Sequence, residues 1–155
     1  MAKTYEPIAT QTLGSATTTV TFSSIPSTYT DLVMVIAGST SSGDGYLQFN
    51  GDTSSFYSST RLYGNGSNAY SDRISSFGVT IGGFTNAVSI INIFNYANTT
   101  TYKTSIARIN NPAGYVDATV NLWRKTPEAI TQIVASAASN WASGCIFTLY
   151  GIKAA

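Results

Sequence analysis

Along most of this chain apolar and polar residues alternate with a period of two, the pattern of half-buried β-strands rather than of helices. In the run Thr17–Phe22, residues Thr17, Thr19 and Thr21 share one side, and Thr18, Val20 and Phe22 the other. Tyr115–Arg124 alternates most clearly. Val116, Ala118, Val120 and Leu122 are expected to line a core, with Tyr115, Asp117, Thr119, Asn121 and Trp123 facing outward. Leu32–Ile36 is apolar on both sides, as in a central strand covered above and below. Val88–Tyr96 is similar, broken by Ser89, Asn92 and Asn95. Further strands are expected at Ile8–Leu13, Tyr46–Phe49, Thr60–Tyr63, Tyr102–Ile109, Ile130–Ala135 and Ile146–Ile152. Phe22, Phe49, Phe94 and Phe147 fall within these runs and are expected to pack the core.

Turn signals separate the runs: Ser24–Ser27, Ser41–Gly45, Asn50–Asp52, Gly64–Ser67, Gly82–Gly83, Asn98–Thr101 and Asn110–Gly114. Thr126, Pro127 and Glu128 suit one helical turn, but Ile130–Ala135 reads better as a strand, and no helix of ten residues is expected. Thr53–Val79 carries few strong strand signals and reads as a long surface excursion. About ten short strands with polar turns predict an all-β fold, an antiparallel two-sheet sandwich. The long crossing loops favour a jelly-roll-like layout over a meander. At 155 residues the chain is expected to form one domain, residues 1–155, able to hide about 68–70% of its unfolded surface. Pro7 interrupts any early ladder, so residues 1–12, Lys3–Thr12 above all, are a candidate arm that docks on a neighbour.

Composition adds a second constraint. Only 10% of residues are charged, against about 25% in a typical soluble domain. The polar surface is instead hydroxylic, with 22 Thr and 20 Ser. The net charge is +1, and Lys3, Arg61, Arg73, Lys103, Arg108, Arg124, Lys125 and Lys153 are scattered, which argues against nucleic acid as a partner. The longest apolar run, Leu32–Ala37, is too short to span a bilayer as a helix, so no membrane partner is expected. The opening residues lack the apolar stretch of a secretory signal, and synthesis in the cytoplasm is the expectation.

The chemistry is sparse. Without histidine there is no Ser-His-Asp or Cys-His constellation and no imidazole metal ligand. The seven carboxylates, Glu6, Asp31, Asp44, Asp52, Asp72, Asp117 and Glu128, sit in no recognisable motif, and Asp44, Asp52 and Asp72 read as turn formers. Asn50, Asp52 and Asp44 supply too few ligands for a calcium loop. Gly43–Gly45 and Gly64–Gly66 lack the helix and lysine of a phosphate cradle. Cys145 is alone, forms no internal disulfide, and reads as a small buried apolar residue. No catalytic, cofactor-binding or metal-ligating residue is assigned, and the chain is expected not to be an enzyme. The aromatics are the positive feature. Phe56, Tyr57, Tyr63 and Tyr70 lie in or near the excursion, where exposed rings among Ser, Asn and Gly suit protein or sugar binding as well as they suit pinning the loop down.

Three segments carry a resemblance: Thr4–Leu13, Phe22–Leu32 and Phe147–Lys153, with Phe49–Asn50, Tyr63–Gly66 and Asn98–Lys103 in support. Together the chain resembles small jelly-roll virion proteins of tailed bacteriophages. The resemblance implies a virion component, in first place a capsid decoration (cement) protein on the outer capsid surface. Its partner would be the major capsid protein, and it would self-associate as a homo-oligomer, a trimer. The alternative it implies is a tail-fibre or receptor-binding module that holds a glycan with its loop aromatics. A depolymerising enzyme is the third reading, and would require glycan cleavage that depends on one of the seven carboxylates.

Overall fold

A computed structural model describes residues 4–83, 85–112 and 114–153. Lys3 of the expected arm and Ala113 of the expected Asn110–Gly114 turn lie outside the described residues. The elements are β1 (Tyr5–Thr12), β2 (Thr17–Phe22), β3 (Asp31–Gly38), β4 (Asp44–Phe49), β5 (Tyr57–Gly64), β6 (Ala69–Ser76), β7 (Val79–Gly83), β8 (Ala87–Phe94), β9 (Lys103–Asn111), β10 (Tyr115–Trp123), β11 (Ile133–Trp141) and β12 (Ile146–Ile152).

They form two antiparallel sheets. The larger runs β1-β12-β3-β8-β9-β10-β5-β6, and the smaller β2-β11-β4-β7. The interleaving of β1, β12, β3 and β8 with β2, β11, β4 and β7 is the double Greek key of a jelly-roll-like sandwich. Two hairpins, β5–β6 and β9–β10, are inserted into that plan. They pair with each other through β10 and β5, and so extend the larger sheet by four strands. The Thr53–Val79 excursion is therefore mostly sheet. Its serine-rich strand β6 carries almost no apolar alternation, because it is an edge strand. Tyr5–Thr12 is β1, paired with β12 of the same chain, and the ladder absorbs Pro7 by a register shift between Pro7 and Ala9.

The core lies between the sheets. Leu32, Met34, Ile36, Ile91, Phe147 and Leu149 from the larger sheet meet Val20, Phe22, Leu47, Ile81, Ile133 and Ala135 from the smaller. Leu32, Met34 and Ile36 are wholly enclosed, as the apolar run predicts. Trp141 packs edge-on against Phe147 at 5.1 Å and donates its indole N–H to the Ala135 carbonyl at 3.2 Å. Cys145 is buried, and its thiol donates to the Ser39 carbonyl at 3.2 Å. Close approach is required at Gly151, where a Cβ would stand 2.3 Å from the Tyr29 ring.

One expectation is reversed. In β10, Val116 is 63% and Val120 54% exposed, whereas Thr119, Asn121 and Trp123 are buried. Alternation defines two faces but does not say which is inside. The aromatic group around Trp123 decides it. Trp123 stacks on Tyr57 at 6.1 Å, meets Phe49 edge-on at 5.5 Å, and donates its indole N–H to Asp52 Oδ2 at 2.6 Å. Tyr57 Oη accepts the Phe49 N–H at 3.0 Å and donates to the Asp52 carbonyl at 3.2 Å. Asp52, read as a simple turn former, thus also clamps an indole. Ser59 donates to Asn121 Oδ1 at 2.5 Å, so the buried amide is not left bare. Phe94 is likewise 37% exposed rather than in the core, because it shares the outward side of β8 with Val88.

Three outcomes are expected in urea unfolding. Trp123→Ala should cost about 3–5 kcal/mol, whereas Val116→Ala and Val120→Ala should stay within about 0.5 kcal/mol of the parent. Gly151→Ala should cost roughly 1–3 kcal/mol, since the Tyr29 ring must move to admit a methyl group.

Candidate functional site

The inserted hairpins overhang the smaller sheet, and β7 lies across their inner side. By alternation that side carries Arg61 and Tyr63 from β5, Tyr70 and Asp72 from β6, Ile109 from β9, and Tyr115 and Asp117 from β10. Cross-strand register sets Arg61 opposite Asp72, Tyr63 opposite Tyr70, and Asp117 opposite Tyr63. Between these residues and Gly83 at the end of β7 lies a cavity of about 310 Å³, lined by Arg61, Tyr63, Gly83, Ile109, Tyr115 and Asp117.

The cavity has an ordered polar wall. Arg61 donates from Nε and from one terminal nitrogen to the two oxygens of Asp72, at 3.2 and 2.7 Å. The same guanidinium lies 4.4 Å from the centre of the Tyr63 ring, and Tyr63 stacks on Tyr70 at 5.0 Å. Arg61 is thus held in place from two directions. Asp117 is half-buried, with the Thr119 hydroxyl at 3.5 Å from one carboxylate oxygen. Burial pushes its pKa up to about 6, and Asp44 and Asp72 add to the rise, while Arg61 and Thr119 oppose it. Gly82 and Gly83 keep the floor open. A Cβ on Gly82, whose φ is +77°, would meet the Ile109 side chain at 2.7 Å, and one on Gly83 would meet Asp44 Oδ1 at 3.2 Å.

Beyond Gly83 a second, shallower cavity of about 190 Å³ opens among Thr40, Ser41, Ser42, Asp44, Gly83 and Thr85. Register places Asp44 directly opposite Gly83, and both cavities border Gly83. Among the described residues no three carboxylates or thiols gather as a metal set. Tyr63, Tyr70 and Asp72 meet here, and Asp72, expected as a turn former, instead lies within β6 because it pairs across the strands with Arg61. Tyr57 and Phe56 do not join them: Tyr57 is in the Trp123 group, and Phe56 is exposed on the preceding loop. Asp117, Tyr115 and Asp44 were invisible as partners in the sequence, because the pairing of β10 with β5 and of β4 with β7 joins distant stretches of chain.

The opposite, outer side of the larger sheet has another character. Val88, Phe94, Ile106, Val116, Val120 and Leu62 are all exposed there, on adjacent strands. Among the described residues, by alternation the charged positions on this side of the strands are Asp31, Arg73 and Arg108. Arg108 stands near the middle, opposite Ile90 on one neighbour and Ala118 on the other. Among the described residues it makes no hydrogen bond or ion pair.

The raised pKa of Asp117 has a signed consequence. The folded protein holds this proton more tightly than the unfolded chain, so the stability it contributes is complete below the ordinary carboxylate value and lost as pH rises through about 6. Asp117→Asn should therefore raise the melting temperature at about pH 8 and change it little at about pH 4. Asp52 is the counter-case. Burial pulls its pKa up, but hydrogen bonds from Ser54 and Trp123, with Lys125 nearby, bring it below the ordinary value. Asp52→Asn should accordingly lose stability most at neutral pH, in the same thermal melts. Neither a scan of protein-family models nor a search of curated proteins gives a match to this chain.

Proposed function

We propose that this protein is a structural component of a tailed-phage virion, a capsid decoration protein that binds the outer surface of the shell and stabilises it. A sandwich fold hosts many functions, and what distinguishes one from another is the surface it presents. The observation that carries it is the outward aliphatic side of β10 together with Leu62: Val116, Val120 and Leu62 are each more than half exposed. Exposed apolar residues in a contiguous sheet face mark an interaction site.

Size and charge narrow the occupant. The exposed aliphatic residues lie on four neighbouring strands, β8, β9, β10 and β5, which at about 4.8 Å apart and roughly seven residues long span roughly 450 Å², the size of an apolar patch that marks a contact surface. Arg108 stands near the centre of this face, and a central arginine is a common anchor in such contacts. A two-fold pairing of this face with itself about that centre would bring two Arg108 side chains together. The acid on the same side, Asp31, already accepts the Asn95 N–H at 2.6 Å. The occupant that fits is therefore a different protein with an apolar surface and a carboxylate or carbonyl at its middle, which we identify with the major capsid protein. Self-association as a trimer would then use other surfaces and leave this face free.

The test is co-sedimentation of the purified chain with expanded, DNA-free capsids of its own phage. The parent should bind saturably at high copy number, and the exposed-face pair Val116→Asp with Val120→Asp should bind about a hundredfold more weakly while melting like the parent. Equal binding by that variant, or antibody label confined to the tail in intact particles, would overturn the proposal.

A further inference from the structure

We infer that the adjoining cavities beneath the inserted hairpins form a binding site for a neutral, hydroxyl-rich saccharide, with Asp117 and Asp44 accepting its hydroxyls and Tyr63 and Tyr115 as contact rings. Four observations converge on this class. The first is space: the larger cavity, about 310 Å³, is at the small end of ligand sites, which begin near 300 Å³. The smaller one borders the same Gly83 and is walled by Thr40, Ser41, Ser42 and Thr85. The larger cavity is an open trough rather than a closed hole, and suits one or two sugar units.

The second is charge. The groups around the trough are Arg61 against Asp44, Asp72 and Asp117, and Arg61 is already engaged by Asp72 through two hydrogen bonds. A phosphate, a sulfate or an acidic sugar would meet an excess of carboxylate, with no free cation among the described lining residues to offset it. A hydroxyl donates to a carboxylate at no such cost. The third is unused bonding capacity. Among the described residues the Tyr63, Tyr70 and Tyr115 hydroxyls have no hydrogen-bond partner, and Asp117 has only the Thr119 hydroxyl. The fourth is the floor. Gly82 and Gly83 stand where any side chain would press on Ile109 or Asp44 and narrow the space beside Gly83.

The site stands apart from the docking face. The cavities open on the inner side of β5 and β10, whereas Val116 and Val120 point the other way. Capsid binding and sugar binding can therefore fail independently.

The experiment is an amide NMR titration of the full chain with maltotetraose, mannotetraose and N,N′,N″-triacetylchitotriose, with sialyllactose as the anionic control. At least one neutral probe should move the amides of Tyr63, Gly83 and Asp117 in a saturable manner, and sialyllactose should not. Tyr115→Ala, at an exposed ring, should weaken that binding about tenfold without changing the melting temperature. Gly83→Val should abolish it, and Val116→Asp on the far side should leave it unchanged. The inference is overturned if no neutral probe moves these amides at millimolar concentration, if the shifts cluster elsewhere, or if sialyllactose binds here more tightly than the neutral probes.

Discussion

The structure turns on one hydrogen-bonded aromatic group, Trp123 against Tyr57 and Phe49 with its indole N–H held by Asp52. A strand's side chains point alternately to two sides, so fixing one of them fixes all. Burying Trp123 draws Asn121, Thr119 and Asp117 inward, and it turns Val120, Ala118 and Val116 out. The indole covers far more apolar area than a valine, and its N–H needs a buried acceptor, which Asp52 provides. Against that, exposing three small aliphatic residues is the smaller loss.

Both candidate surfaces are consequences of this single choice. Because Asp117 and Tyr115 follow Trp123 to the inner side, they meet Arg61 and Tyr63 across the β10–β5 pairing, and the polar cavity has its wall. Because Val116 and Val120 go outward, they join Leu62 on β5 and Ile106 on β9, and the sheet acquires an aliphatic exterior. The inserted hairpins supply the area for both. A bare eight-stranded jelly roll would end at β8 and would have neither the overhang nor the broad outer face.

Much of this was legible in the chain. The all-β class, the two-sheet sandwich, and the strands at Leu32–Ile36 and Thr17–Phe22 followed from periodicity, and so did the burial of Phe22, Phe49, Phe147 and Cys145. Asn50 and Asn98 behave as turn residues whose side-chain oxygens accept backbone N–H groups, as their setting suggested. What was not legible has specific causes. β6 is an edge strand of Ser, Arg and Asp, stabilised by the Arg61–Asp72 pair and the Tyr63–Tyr70 stack rather than by apolar alternation. β10 alternates strongly, but alternation equates the hydrophobic side with the buried side only when the other side carries nothing larger. The larger cavity gathers residues from β5, β7, β9 and β10, and no local spacing could bring them together.

The orientation of β10 is the claim on which both surfaces rest, and thiol accessibility reads it directly. Cysteines placed singly at Val116, Val120, Thr119 and Asn121 would be titrated with a water-soluble thiol reagent under native conditions, against the buried Cys145 as internal reference. The account predicts that positions 116 and 120 react nearly as fast as in unfolded protein, and that 119 and 121 stay protected until the protein unfolds. Protection at 116 and 120 with rapid reaction at 119 and 121 would contradict it.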